Sequence, residues 1–280
     1  MKSRYLLYAL PLAMFAPDAY AWGLQTHLFF AQCAVFLVPF ADRGLRAAIS
    51  RFPGLVLAGA CLPDLALAGR ALGTPAFRRA HRWSTLRRLA AAPRDDGERA
   101  LAAGYASHLL SDVVAHNFFV PEHEARILRA RYVTHALAEW AMDDHVRAQL
   151  FVSPADALTA EPGVVADFVA RGFRCSDALA RRATGLLARA DRALRSSRVP
   201  GLCRRVIGTA RFDMHLKNAA ASVRELEAAL AGRLVDWVSS DPEGHFSDDA
   251  ADGGAGEHIA RIVQAEYDSR RGRQQREGQQ

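Results

Sequence analysis

Apolar residues recur along this chain at helical spacing, and the stretches between them end in proline, glycine or clustered small polar residues. Thr26 is placed to cap a helix starting near His27, with Leu28, Phe29, Ala31 and Phe36 on or near its buried side. Arg43 to Arg51 reads as a short amphipathic helix stopped by Pro53-Gly54, and an apolar run containing Pro63-Asp64 follows. AAPRDDGERA reads as a solvated loop with Asp95 and Asp96 as caps for the next helix, which extends past His108. FFVPEH reads as a turn, after which a helix runs through Tyr132, Leu137 and Trp140 to Leu150. Residues 155–240 predict three or four further helices, the clearest being DALARRATGLLARADRALR and ASVRELEAALAGRLVDWV, with SSRVPG separating two of them. No strand-period alternation, internal repeat, Gly-rich phosphate loop or G-x-S-x-G elbow interrupts the pattern. The expected fold is all-α.

Composition bounds this picture. Half of the 280 residues are hydrophobic, enough for one large core. The net charge of +6 is a mild bias toward phosphate groups or a membrane surface, too weak to argue for nucleic acid. Residues 1–21 read as a secretory signal, with Lys2 and Arg4, a short apolar run and an Ala19-Tyr20-Ala21 cleavage site. The run is shorter than the roughly 20 apolar residues a spanning helix needs. The expected product is exported, periplasmic or extracellular, and begins at Trp22. The expected domains are the signal over 1–21, a helical domain over 22–240 and a flexible polar tail over 241–280. Cys33, Cys61, Cys175 and Cys203 fit an oxidising compartment without requiring disulfides, and match no zinc-ribbon spacing.

The chemistry-bearing residues concentrate between Gly104 and Glu139. His108, Asp112 and His116 fall at i, i+4 and i+8, and His135 and Glu139 repeat the step. Each four-residue step drifts only about 40° around a helix, so each set shares a face. Two antiparallel helices with such faces would point five metal-binding side chains at one another, as in bundle-core metal sites. Imidazole and carboxylate are zinc ligands. The alternative is a set of buried histidines and helix-face salt bridges. Asp64 within an apolar stretch is either a helix cap or a carboxylate bound to metal. His27, near the expected new N-terminus, and His81, in a basic turn, join the candidates. His123, His145, His215, His245 and His258 have no partner at ligand spacing and read as surface or outer-shell residues.

Taken in order, WGLQTH, GACLPD, the His81-Arg82-Trp83 stretch, GYASHLLSDVVAH and HALAE resemble the zinc-dependent phospholipase C/D family over roughly Trp22 to Asp143. That family includes secreted bacterial phospholipases C and the N-terminal domain of glycosylphosphatidylinositol-specific phospholipase D, with S1/P1 nucleases as distant relatives. The resemblance implies an all-α multi-helix bundle with two or three Zn2+ ions at the floor of a cleft. It implies that Trp22, through its freed amine and carbonyl oxygen, and His27 hold one zinc. Asp112 would bridge to a second held by His81 and His108, and His116, His135 and Glu139 would hold the third. Asp64 matches the carboxylate that touches the cluster and acts as general base. Trp83, Phe118 and Phe119 are candidates to line the cleft. The tight Asp112-xxx-His116 step matches the glycosylphosphatidylinositol-specific branch, which lacks the N-terminal Trp, so the chain mixes two patterns. The expected function is phospholipid hydrolysis of the phospholipase C type, with peripheral membrane contact and no stable nucleic-acid complex. A single-strand nuclease or 3′-nucleotidase on the same metals, and a zinc-binding envelope protein without turnover, are the alternatives.

Overall fold

Residues 96–114 carry almost no polar face, and a helix that is apolar all round must be enclosed by others. The structure, a computed structural model, places this helix at the centre. It describes residues 23–127 and 131–233, and of these it leaves the side chains of 117, 124–127 and 131–134 undescribed. The expected signal, Trp22, His245, His258 and the expected tail lie outside the described residues.

In chain order the helices are α1 (Leu24–Leu37), α2 (Arg43–Arg51), α3 (Pro53–Gly59), α4 (Leu65–Ala71), α5 (Trp83–Ala90) and α6 (Asp96–Val114). A π-helical turn, Ala115–Phe119, leads into α7 (Val120–Ile127), and α8 (Arg131–Val146) ends in a 3-10 turn, Arg147–Gln149. There follow α9 (Pro154–Ala160), α10 (Pro162–Phe173), α11 (Asp177–Ser196), α12 (Val199–Ile207), α13 (Phe212–Ser222), a 3-10 turn and α14 (Leu226–Leu230). No strand occurs among the described residues, and the fold is all-α. No described helix is long and apolar enough to cross a membrane.

Helix α6 starts on a reciprocal cap whose return bond goes to Arg94, one residue before the Asp95 N-cap. The Asp95 side chain accepts from the Glu98 N–H at 2.9 Å, and Glu98 reaches back to the Arg94 N–H at 2.9 Å. From there α6 touches α1, α2, α3, α5, α10, α13 and α14. Its closest neighbour is α3, because the two backbones meet at glycines. A Cβ on Gly104 would lie 1.9 Å from the Val56 carbonyl oxygen, and one on Gly59 would lie 2.1 Å from that of Leu101. Only hydrogen fits there.

Several elements differ from the sequence reading. Helix α1 begins at Leu24, with Gly23 as its cap residue. Thr26 is inside the helix because a carboxylate from α8, Asp143, takes over the capping. Phe36 is exposed instead of buried. Pro53 does not merely stop α2; it opens α3, where its missing N–H has no helical partner to lose. FFVPEH is helical throughout, since Pro121 falls in the first turn of α7. The expected single helix over ASVRELEAALAGRLVDWV is broken by the 3-10 turn Val223–Glu225, and α14 gives way to Gly232 at φ +66°. Helices α6 and α8 do not form the expected facing pair. They make little mutual contact, and α1 packs against both, while α12 packs most extensively on α8.

Candidate metal centre

Three elements meet at Asp112 on α6. Its Oδ1 lies 3.2 Å from His27 Nε2, and its Oδ2 lies 3.1 Å from His108 Nε2 and 3.7 Å from His81 Nε2. The His81 and His108 Nε2 atoms are 3.2 Å apart, and the His27 and His108 rings stack with centroids 3.4 Å apart. Asp64 joins through Oδ1, 3.5 Å from His81 Nε2. It occupies the cap position of α4, yet its side chain makes no capping hydrogen bond and turns toward the histidines. His27, Asp64 and His108, and likewise His81, His108 and Asp112, offer ligand atoms within 4.8 Å of one another.

The second group is carried by the π turn and α8. His116 and His135 have ring centroids 5.5 Å apart, and His135 Nε2 is 2.7 Å from Glu139 Oε1. The regular i+8 face expected for His116 is replaced by the π turn, whose wider pitch alters the side chain's direction. All eight candidates within the described residues are buried. His27, His108, Asp112 and His135 are at 0% exposure, while Asp64, His81, His116 and Glu139 keep 5%, 3%, 4% and 6%.

The hydrogen bonds around the histidines fix which nitrogen is bare. His108 donates through Nδ1 to the Ala60 carbonyl at 2.7 Å, which leaves Nε2 as a lone pair. The Ser111 hydroxyl donates to the His108 carbonyl at 2.9 Å, so its oxygen accepts from His27 Nδ1 at 3.1 Å. His27 Nε2 is therefore also a lone pair. It faces Asp112 Oδ1, and neither atom has a hydrogen-bond partner; nor does Asp112 Oδ2. Lone pairs converging in a buried site are repulsive until a cation lies between them. The residues present fit a divalent metal.

The electrostatics agree. Burial raises the Asp112 carboxyl, but His108 and His27 lower it more, and the net position is well below the usual carboxylate range. Yet burial, then the neighbouring His27, lowers His108 itself, which favours its neutral form. The positive charge Asp112 requires must then come from another source. Burial also drives His116 down to about 3, the neutral form a ligand needs. Glu139 rises well above its ordinary value through burial, then Asp64, Asp112 and Asp143. This crowding of carboxylates calls for a multivalent counter-charge.

Sequence reasoning missed Ser111, Asp143 and the Ala60 carbonyl. Asp143 continues the i+4 step of His135 and Glu139. It accepts from the Thr26 backbone N–H at 2.9 Å and hydroxyl at 2.7 Å, which fixes the helix start that carries His27. A backbone carbonyl leaves no such signal.

Of the aromatic candidates, Phe119 is fully buried among the rings of His123, Phe212 and His215, Trp83 is buried at the start of α5, and Phe118 is half-buried. His123 and His215 are not surface residues. They form a separate buried cluster, with His215 Nε2 3.0 Å from Glu122 Oε2. His145 lies 3.0 Å from Asp213. All four cysteines are free, and burial pushes the Cys33 and Cys203 thiols up to about 11.

A family model described as zinc dependent phospholipase C matches residues 26–168, more than half of the chain and the whole of the centre just described. No curated protein and no solved structure matches it.

Proposed function

Because the chain belongs to the zinc dependent phospholipase C family, we propose that it is an exported phosphodiesterase that hydrolyses phospholipid with phospholipase C regiochemistry. Water supplies the oxygen that bonds to phosphorus. The bond from phosphorus to the glycerol oxygen breaks, and a proton passes to the departing alkoxide. The products are a diacylglycerol and a phosphorylated headgroup.

Two or three zinc ions are the proposed complement. His27, His81, His108 and Asp112 form one holding group, in which Asp112 is shared because its two oxygens face different histidines. His116, His135 and Glu139 form the other, and Trp22 would complete the His27 side once the signal is removed. Zinc held there would supply a Lewis acid for a phosphoryl oxygen and would lower the pKa of water toward neutrality. The chain's own residues do the rest. Ser111 and Ala60 hold the histidines in the tautomers that present Nε2 inward. Asp64 orients the attacking water and accepts its proton. Phe118, half-buried and two residues after His116 in the chain, is the aromatic proposed to meet a lipid chain.

The observation that carries this reading is the Asp64 carboxylate, which forgoes capping α4 and turns to His81 Nε2 at 3.5 Å. The test is turnover of the zinc-loaded mature chain on a phospholipid panel beside single-stranded DNA. Release of diacylglycerol is expected, with no DNA degradation. DNA cleavage without lipid turnover would replace the lipase reading by a nuclease on the same metals. A second reading, a zinc-binding protein without turnover, draws support from the near-complete burial of the centre. Full zinc content with no activity on either substrate would establish it.

A further inference from the structure

Four of the eight exposed large apolar side chains among the described residues lie at the end of α1 and just after α8. Phe36 and Leu37, ending α1, are 61% and 74% exposed; Phe151 and Val152, following the turn after α8, are 74% and 39% exposed. The Phe36 and Phe151 rings pack edge to face, with centroids 5.4 Å apart and planes at 84°. The four residues thus form one patch. Among the described residues the remaining exposed large hydrophobics are Val164 on α10 and three residues of α12.

The patch is held out by construction. Gln32, buried on α1, uses both ends of its amide on the loop that presents Phe151. Its Nε2 donates to the Gln149 carbonyl at 3.0 Å, and its Oε1 accepts from the Phe151 N–H at 2.8 Å. A buried amide satisfied at both ends fixes the loop, so Phe151 has little freedom to fold inward. Arg147, exposed and one turn earlier, has no ion-pair partner among the described residues. Exposed apolar side chains with an exposed, uncompensated cation four residues away in the chain are the composition of a surface that enters an anionic lipid interface.

We propose that Phe36, Leu37 and Phe151, with Arg147 four residues before Phe151, are the face by which this protein docks on a phospholipid bilayer. The inference rests on the lipid-hydrolase reading for its choice of partner, and the geometry adds two arguments. The exposed parts of the four side chains amount to roughly 400–500 Å2, given 150–250 Å2 for a whole aromatic side chain. A stable protein partner needs about 800 Å2 on each side, so a second copy is poorly served. The patch is also rigidly tied to the metal centre. Helix α1 carries His27 near one end and Phe36 near the other, nine residues or about 13 Å along the axis. The same helix is fastened to the α8 segment by Asp143 near its start and Gln32 near its middle. Docking of the patch therefore sets the height and tilt of the centre over the lipid surface.

The test is brief co-sedimentation of the full mature chain with vesicles of phosphatidylcholine and phosphatidylglycerol, beside pure phosphatidylcholine. The wild type is expected to bind the mixed vesicles more tightly. The double substitution Phe36→Ser and Phe151→Ser should weaken partitioning by about 10-fold or more, in line with the apolar area lost. Val164→Ser, an exposed valine elsewhere, should partition as the wild type. Zinc content and thermal midpoint, measured on each variant, report on folding. Phe151→Trp gives an independent readout, since its emission should shift to the blue and be quenched by brominated lipid. The proposal is overturned if the wild type does not bind, if the double variant binds equally, if Val164→Ser loses as much, or if the new tryptophan senses no lipid. A wild-type dimer in gel filtration that the double variant dissolves would assign the patch to a second copy and overturn it too. Partitioning does not require turnover. Hydrolysis of a soluble, monomeric short-chain phospholipid by the wild type, measured alongside, tests the catalytic reading by itself.

Discussion

Asp143, 117 positions away in the sequence, takes both the backbone N–H and the hydroxyl of Thr26, at 2.9 and 2.7 Å. A carboxylate on α8 therefore does for α1 what a local cap does for most helices, and Gly23 is small enough to let it approach. Asp143→Ala would leave the buried Thr26 hydroxyl unsatisfied and its N–H with the Gly23 carbonyl alone, an expected loss of ~1–3 kcal/mol. It should also free the start of α1, so that the metal on the His27 side is lost first. Elemental analysis should show about one zinc fewer per chain, while Asp143→Asn, which keeps an acceptor for Thr26, should recover most of the stability. A full zinc complement in Asp143→Ala would show that the contact is structural alone.

Chelation should destabilise the protein. Without a counter-charge, Asp112 faces the bare nitrogens of His27 and His108 in a fully buried site. Removing zinc with a chelator is expected to lower the thermal midpoint by several degrees or more, and zinc to restore it, because binding is linked to folding. Asp112→Asn should bind more than one zinc fewer and respond little to chelator. Scanning calorimetry with and without chelator checks both. An unchanged wild-type midpoint would argue that the site holds no metal.

Gly104→Ala tests the crossing of α3 and α6. The added Cβ would meet backbone atoms of Val56 and Ala60, which cannot rotate away. A destabilisation of about 3 kcal/mol is expected, with loss of the Ala60 carbonyl as the partner of His108 Nδ1. Gly54→Ala, with open space around its Cβ, should be neutral or slightly stabilising. Denaturant unfolding of the two variants gives the comparison.

Glu98 predicts an acid-side dependence. Burial raises its carboxyl, but the Arg94 backbone N–H and the Arg94 and Arg171 side chains outweigh this and hold it below the ordinary glutamate value. A depressed folded-state pKa means that its stabilisation is complete above the unfolded value and is lost as pH falls through the folded one. Glu98→Gln should therefore lower stability near neutrality, by ~1 kcal/mol since both arginines are substantially exposed. It should also flatten the wild-type decline below about pH 4.5. Parallel acid titrations of the two proteins, followed by circular dichroism, provide the measurement.

The chain itself determined the helical class, the Asp95 cap and the candidate set His27, Asp64, His81, His108, Asp112, His116, His135 and Glu139, though not the burial of His123, His215 and Asp143. These follow from short-range rules: the 3.6-residue period, the side-chain oxygen that caps a turn, and the i+4 step that puts ligands on one face. Such rules reach only along one helix. What they could not give was set by contacts between helices far apart in sequence. Thr26 reads as a cap until Asp143 displaces it from that role. Asp64 reads equally as a cap or a ligand until its carboxylate is seen turned to His81. His116 reads as continuing a regular face until the π turn redirects it. Phe36 reads as core because periodicity predicts a face and not what covers it. Only the packing of α1 and α3 against α6 decided which tautomers His27 and His108 adopt, because Ser111 and the Ala60 carbonyl reach them across helix boundaries. A hydrogen-bond partner supplied by another helix is fixed by the whole assembly of side chains and is written in no local stretch of sequence.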